Sequence, residues 1–271
     1  MTAPIAEGSI AITRPKLSPP GRRTVHAVHM YVSRARRMSS ALAMLMSVML
    51  VASCGGQPAP DVRNITLTFI RHAESEANAA DIASTVVPGP GLTPAGQQQA
   101  EELANKLVGN NYDGVFASAM LRTQQTAAPA AKALGEQVTV LPGLNEIPAG
   151  WFEGVPMSDT SGTFLLGPEG WLKGDRRFGI PGSVNGDDFN AAFTAAVQTI
   201  YDSGDEKPLA FSSGLAIMIW TLMNARNGKR NLLTDHPLPN TGRVVLNGNP
   251  VTGWTLVDWD GITNFSIDEA A

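Results

Sequence analysis

The sequence predicts an α/β fold with a mostly parallel central sheet. Apolar, β-branched runs near 66–70, 113–118, 138–141 and 208–212 alternate with stretches of helical spacing. Each run breaks off into turn-forming or polar residues, as strands do when the chain crosses over to a helix. Length agrees: of the 271 residues, 217 follow Cys54, enough for one sizeable core.

Charge is unevenly placed. Seven of the 20 basic residues and one of the 24 acidic ones precede Cys54, which leaves 13 basic and 23 acidic residues in the remainder. An acidic domain argues against nucleic acid as the principal partner. An anionic substrate must therefore meet a local positive pocket and not a global field. Cys54 is the only cysteine, so no intramolecular disulfide forms.

The N-terminal stretch reads as a leader. Arg34-Ala35-Arg36-Arg37 is a basic n-region, and Ala41 to Ala52 is an apolar segment too short to span a bilayer comfortably. Val51-Ala52-Ser53-Cys54 resembles a lipobox, in which small residues precede a cysteine that becomes lipidated. An ordinary signal peptide with an incidental cysteine, or an uncleaved anchor, is the alternative. The expected layout is an extension and lipoprotein signal over 1–53 with Met30 as a plausible start, a Pro-containing tether over 54–63, and a globular domain over 64–271. That layout predicts an exported protein held on the outer face of the membrane by a lipid on Cys54.

The first strand, Thr66 to Ile70, ends abruptly in Arg71-His72-Ala73-Glu74-Ser75-Glu76-Ala77-Asn78. In open α/β sheets, ligands sit where strands end. A histidine there beside an arginine offers a nitrogen nucleophile next to a fixed cation, which suits attack on a phosphoryl group. Thr93 then reads as an N-cap with Pro94 at the first helical position, opening a helix to about Val108 with Leu103 and Leu107 on its apolar face. A second strand at 113–118 precedes a small-residue helix, Ala119 to Leu134, ended by Gly135. Arg122 falls in its first turn, against the macrodipole preference for acids, and so reads as a phosphate ligand. A third strand, Val138 to Leu141, leads into Asn145-Glu146-Ile147-Pro148-Ala149-Gly150-Trp151-Phe152-Glu153-Gly154.

From Pro148 to Gly186 no clear periodicity is present, as in a lid or substrate wall. Lys173, Arg176 and Arg177 in that stretch are candidates to extend an anion pocket, with plain surface as the alternative. Asp187 to Tyr201 carries Phe189, Phe193, Val197 and Ile200 at helical spacing, a stripe for the core. A fourth strand from Pro208 turns at Ser212-Ser213-Gly214 into an apolar helix. Strands over 243–247 and 251–258, joined by Gly248-Asn249-Pro250, are expected to complete the sheet edge as a hairpin.

The run from Arg71 to Asn78 resembles the signature of the histidine phosphatase, or phosphoglycerate mutase-like, superfamily. Leu92-Thr93-Pro94-Ala95-Gly96, the spacing of Ser118 and Arg122, and the segment around Glu146 resemble it in the same order. The resemblance implies a three-layer αβα sandwich. It also implies a metal-free phosphomonoesterase acting on a phosphorylated small molecule or other phosphoester, with no cofactor. His72 would attack phosphorus, Arg71 and Arg122 would bind its oxygens, and Glu146 would protonate the leaving alcohol, with Glu153 as second choice. Asn78 matches the family's asparagine after the Arg-His motif and is a further phosphate ligand, while Ser75 is either a ligand or a cap. Mutase activity is the less favoured reading for an exported enzyme.

One position departs from the pattern. The family's fourth strand ends in serine-histidine-glycine, and here Ser213 stands in the histidine's place. A serine in the phosphate site donates one hydrogen bond but carries no charge, and loss of one preorganised donor costs about 100- to 1,000-fold in rate. Of four histidines only His72 and His236 lie beyond Cys54, so His236 is the one candidate to substitute, with a structural role for the asparagine-led segment that follows it as the favoured alternative. The rival readings are a weak or inactive phosphatase fold that binds phosphorylated ligands at the cell envelope, and a scaffold with no ligand.

Overall fold

The computed structural model describes residues 62–160 and 163–265. The leader, Cys54 and most of the tether lie outside the described residues, among which no helix is long and apolar enough to cross a membrane.

Six strands form one sheet: β1 (Ile65–Arg71), β2 (Gly114–Ala117), β3 (Val138–Val140), β4 (Pro208–Ser212), β5 (Arg243–Asn249) and β6 (Gly253–Trp259). Their order is β3-β2-β4-β1-β5-β6, with the first four parallel and β5 and β6 antiparallel at one edge. Every residue of β2 and β4 is buried, as a parallel sheet covered on both faces requires.

Alternation along β1 assigns the two faces. Leu67 and Phe69 point into the larger core, where Phe69 meets Phe193 and Trp220 at ring-centroid distances of 5.5 and 5.6 Å. Ile70 points the other way, among Ala104, Ala127, Leu209 and Phe211. On that smaller side lie helices α1 (Pro94–Leu107) and α2 (Leu121–Leu134); opposite are α3 (Leu166–Leu172), α4 (Gly186–Asp202) and α5 (Gly214–Asn224). The result is the expected αβα sandwich.

Helix boundaries follow local chemistry. Thr93 Oγ1 accepts from the Gly96 N–H at 2.9 Å, with Pro94 at the first position. Gly96 itself is required by close approach, since a Cβ there would sit 2.0 Å from the Glu74 carbonyl oxygen. Gly135 ends α2 at φ +77°, its N–H directed at the Ala131 and Lys132 carbonyls. The stripe of Phe189, Phe193, Val197 and Ile200 on α4 is buried throughout.

Two expectations need correction. The hairpin strands run on to Asn249 and begin again at Gly253, so the turn is two residues later than Gly248-Asn249-Pro250. Asn249 Oδ1 explains the shift: it accepts from the Val251 and Thr252 N–H groups at 2.9 and 2.7 Å and closes the turn beyond itself. The 148–186 stretch is not wholly irregular, because it contains a 3-10 turn (Gly150–Phe152), a helical turn (Met157–Thr160) and α3. These pieces are too short to show a period.

Candidate active site

Parallel strands deliver their C-terminal ends to one edge of the sheet, and the candidate residues gather there. β1 runs straight into His72, which is 3% exposed. Its main chain is held from two directions. The His72 N–H donates to the Ser212 carbonyl at 2.9 Å, and Asn240 Nδ2 donates to the His72 carbonyl at 3.0 Å. The ring is fixed as well. Nδ1 donates to the Ala73 carbonyl at 2.7 Å, which leaves Nε2 as the unprotonated nitrogen. Burial, then the Arg122 charge, push the imidazole well below its ordinary pKa, against the pull of the Ala73 hydrogen bond. A neutral histidine with a free Nε2 lone pair is the form a nucleophile needs.

Arg122 arrives from the first turn of α2 and is 3% exposed. Its Nε donates to His72 Nε2 at 3.0 Å and its Nη2 to Ser213 Oγ at 3.4 Å, while Nη1 is buried without a partner. Thr126, one turn along α2, accepts from the Ala73 N–H at 3.0 Å and donates to the Arg122 carbonyl at 2.7 Å. It therefore ties the nucleophile's loop to the helix that carries the arginine. Arg71 turns across the start of α5, where its Nη1 donates to the Leu238 carbonyl at 2.5 Å and its Nε is buried and unpartnered. Gly214 permits this crossing: a Cβ there would lie 3.0 Å from Arg71 Cδ. Arg71 Nε and Arg122 Nη1 are thus two buried guanidinium nitrogens, on residues lining one cleft with His72, with donor capacity that suits an anion.

Glu146 reaches the site from the segment after β3. Its Oε1 accepts from the Ile147 and Ala216 N–H groups at 2.8 and 2.9 Å, and its Oε2 accepts only a longer bond, 3.3 Å, from Leu215. Desolvation raises the carboxyl's pKa, opposed by the Ile147 N–H and by Arg122 and Arg71. A proton on this group belongs on Oε2, the less satisfied oxygen.

The remaining candidates divide. Ser75 caps the helical turn Glu76–Ala79, its Oγ accepting from the Asn78 N–H at 3.3 Å while Asn78 Oδ1 accepts from the Ser75 N–H at 3.2 Å. Both residues line the cleft, and Asn78 Oδ1 also accepts from Asn240 at 3.2 Å. Ser213, the first residue off β4, is buried and is not among the cleft-lining residues; it meets the site through Arg122. Glu153 is not at the site: its carboxylate accepts from Thr85 N and Oγ1 and from Val86 N, holding a loop. His236 does not substitute for a second histidine, because it is exposed and absent from the cleft lining. Lys173, Arg176 and Arg177 also lie outside the cleft, Lys173 pairing with Glu169 at 3.5 Å.

Sequence reasoning missed Asn240 as the support of His72. It missed Asn145 too, whose Oδ1 accepts from the Ala119 N–H at 2.8 Å and steadies the entry to α2. The signal was present in Pro239-Asn240-Thr241-Gly242, but nothing local says which strand end such a segment embraces.

The model of the histidine phosphatase superfamily (branch 1) matches residues 67–261. PE-PGRS family protein PE_PGRS11 of Mycobacterium tuberculosis is 49% identical over 219 residues, 74% of this chain and 37% of that protein. The adenosylcobalamin/alpha-ribazole phosphatase of Escherichia coli is 37% identical over 81 residues, 30% of this chain and 39% of that one. This chain thus spans well under half the length of either relative. Among solved structures, a mycobacterial glucosyl-3-phosphoglycerate phosphatase in complex with VO3 superposes with a TM-score of 0.61 at 19% identity, covering 73% of this chain and 100% of its own. A phosphoserine phosphatase variant from Entamoeba histolytica, with phosphoserine bound, gives 0.57 at 24% identity, covering 72% and 96%. At such identities the likeness is one of fold. Because the family match runs from within β1 to beyond the end of β6, the chain belongs to the histidine phosphatase superfamily, branch 1.

Proposed function

We propose that this protein hydrolyses phosphomonoesters through a phosphohistidine on His72. The observation that carries the reading is the pair of buried, unpartnered guanidinium nitrogens, Arg71 Nε and Arg122 Nη1, on residues that line one cleft with a histidine whose Nε2 is unprotonated.

Arg122 Nε donates to the Nε2 lone pair. A bound phosphoryl group gives the two arginines oxygens to hold and frees that lone pair. Nε2 then attacks phosphorus, and the bond from phosphorus to the alcohol oxygen breaks. Glu146 passes its proton to the departing oxygen. The imidazolium formed keeps its Nδ1 proton on the Ala73 carbonyl. In the second half, the Glu146 carboxylate takes a proton from water, the resulting oxygen attacks phosphorus, and the P–N bond breaks to restore neutral His72. Ser213 donates a hydrogen bond to an equatorial oxygen, with the cationic share of that position left to Arg122, whose Nη2 already reaches its hydroxyl.

Ser213 also supports a second reading: a phosphate-binding protein of low turnover. Phosphate release from a broad ester panel by the purified protein, beside His72→Ala and Ser213→His, separates the two. Turnover lost in His72→Ala supports the enzyme; turnover seen only in Ser213→His supports the binder. The cell-envelope setting, with a lipid on Cys54, rests on the sequence pattern of residues 34–54. The mass of the N-terminal peptide from membrane-extracted protein tests it, and an unmodified Cys54 would refute it.

A further inference from the structure

The cleft in front of His72 has a volume of about 650 Å³, far more than a phosphoryl group fills, so most of its wall faces the alcohol half of the ester. That wall differs in kind from the floor. Among the described residues lining it, the cations are Arg71 and Arg122, both taken up at the phosphoryl end, and no lysine is present. The acids are Glu146 and Asp81. The remaining lining is largely apolar, including Met157, Phe164, Leu165, Leu215, Met218 and Leu233. Apolar lining extends to the rim, where Ile82 and Met157 are each 38% exposed. Several neutral polar groups are already engaged: Ser75 and Asn78 Oδ1 with one another's main chain, and Thr85 Oγ1 between Glu153 and the Ala149 N–H. The Thr234 hydroxyl is likewise engaged, with the Asn231 carbonyl and Asp235 Oδ1, and Ser84 is the other uncharged polar side chain of the lining.

We infer that the physiological ester is a phosphomonoester of an uncharged, largely apolar alcohol, of the alkyl, prenyl or aryl class, and not a phosphorylated acid. A carboxylate on the leaving group would enter this wall with no cation to meet it and the Asp81 carboxylate in the same lining, an arrangement that charges leaving water avoid. An apolar chain gains there by leaving water. The inference rests on the reading of His72, Arg71 and Arg122 as the phosphoryl site.

Kinetics on n-alkyl phosphates from ethyl to octyl, beside 3-phosphoglycerate and phosphoserine, test it. The expected kcat/KM rises about fourfold per methylene until the wall is covered. Octyl phosphate then exceeds both carboxylate-bearing esters by at least about 100-fold. Met157→Arg, which places a cation at the rim, is expected to shift the ratio toward 3-phosphoglycerate. A flat alkyl series, or a preference for the phosphorylated acids, overturns the inference while leaving a phosphatase in place. If no ester turns over, the proposed activity fails, and calorimetry with n-alkylphosphonates still decides this point. Affinity rising with chain length supports the apolar wall, and affinity independent of it overturns the inference.

Discussion

β1 and β4 lie side by side, parallel and in register, with Arg71 opposite Ser212. His72 and Ser213 are therefore the first residues off two neighbouring strands at the same level of the sheet. The two ends are furnished very differently. At the β1 end the imidazole is buried, its tautomer is set by Ala73, and its main chain is clamped by Ser212 and Asn240. At the β4 end a buried hydroxyl accepts from Arg122 Nη2 at 3.4 Å, and the N–H groups of Leu215 and Ala216 that open α5 are turned to Glu146. The contrast separates two duties that a pair of histidines would share. In the proposed mechanism nucleophilic attack needs one lone pair held in one place, and the residue after β1 would supply it. Charge stabilisation is transferable, and Arg122, bonded to both His72 and Ser213, is placed to carry it.

The comparison breaks most visibly at the β1 end. His72→Ala is expected to remove turnover by at least about 10⁴-fold, read as phosphate release, since no second nucleophile of the right kind adjoins the arginines. Next in size is Glu146→Gln, which keeps the N–H contacts of one oxygen but has no proton to give. It is expected to slow esters of poor leaving groups about 100- to 10,000-fold. Esters of acidic phenols lose less, because their oxygen departs without protonation.

The pH profile sharpens the same point. His72, with its pKa lowered by burial and by Arg122, stays neutral below the usual imidazole range; activity falls on the acid side only as pH drops through that lowered value. Glu146, with its pKa raised by burial, stays protonated above the usual carboxylate range; activity falls on the alkaline side as pH rises through that raised value. The alkaline fall is expected to vanish in Glu146→Gln. Ser213→His comes third: with Arg122 carrying the charge, a change below about tenfold is expected, and a gain of about 100- to 1,000-fold would mean that charge at β4 is limiting.

Legibility in the sequence followed the range of the interactions. Arg71, His72, Arg122 and Glu146 each stand where a strand or its turn breaks off, a local event written in a few consecutive residues. The stripe on α4 was equally plain, because it repeats over several turns. Asn240 was not legible as a support, since it acts on a carbonyl 168 positions earlier in the chain. His236, disfavoured as a substitute for the second histidine, could not be placed from the sequence for a related reason. The helical turn Leu232–Asp235 and the Pro237 that follows it leave the imidazole in solvent, and no pattern in Asp235-His236-Pro237 says so. The cleft wall was hidden because short pieces such as Met157–Thr160 carry no period, although the stretch itself stood out as a wall.

The smallest expected effect tests the clamp on β1. Asn240→Ala leaves the His72 carbonyl with only the 3.4 Å bond from Thr241 and is expected to cost about 1 kcal/mol of stability. Chemical denaturation measures it. The loss in kcat should be far smaller than that of Glu146→Gln.

The most direct measurement is a trap of the intermediate: rapid acid-free quenching during turnover of a ³²P-labelled ester, followed by peptide mapping. The account predicts an acid-labile, base-stable label on the peptide carrying His72, joined through Nε2 and absent from His72→Ala. An acid-stable label on Ser213, or steady turnover with no phosphoprotein at any time, would contradict it.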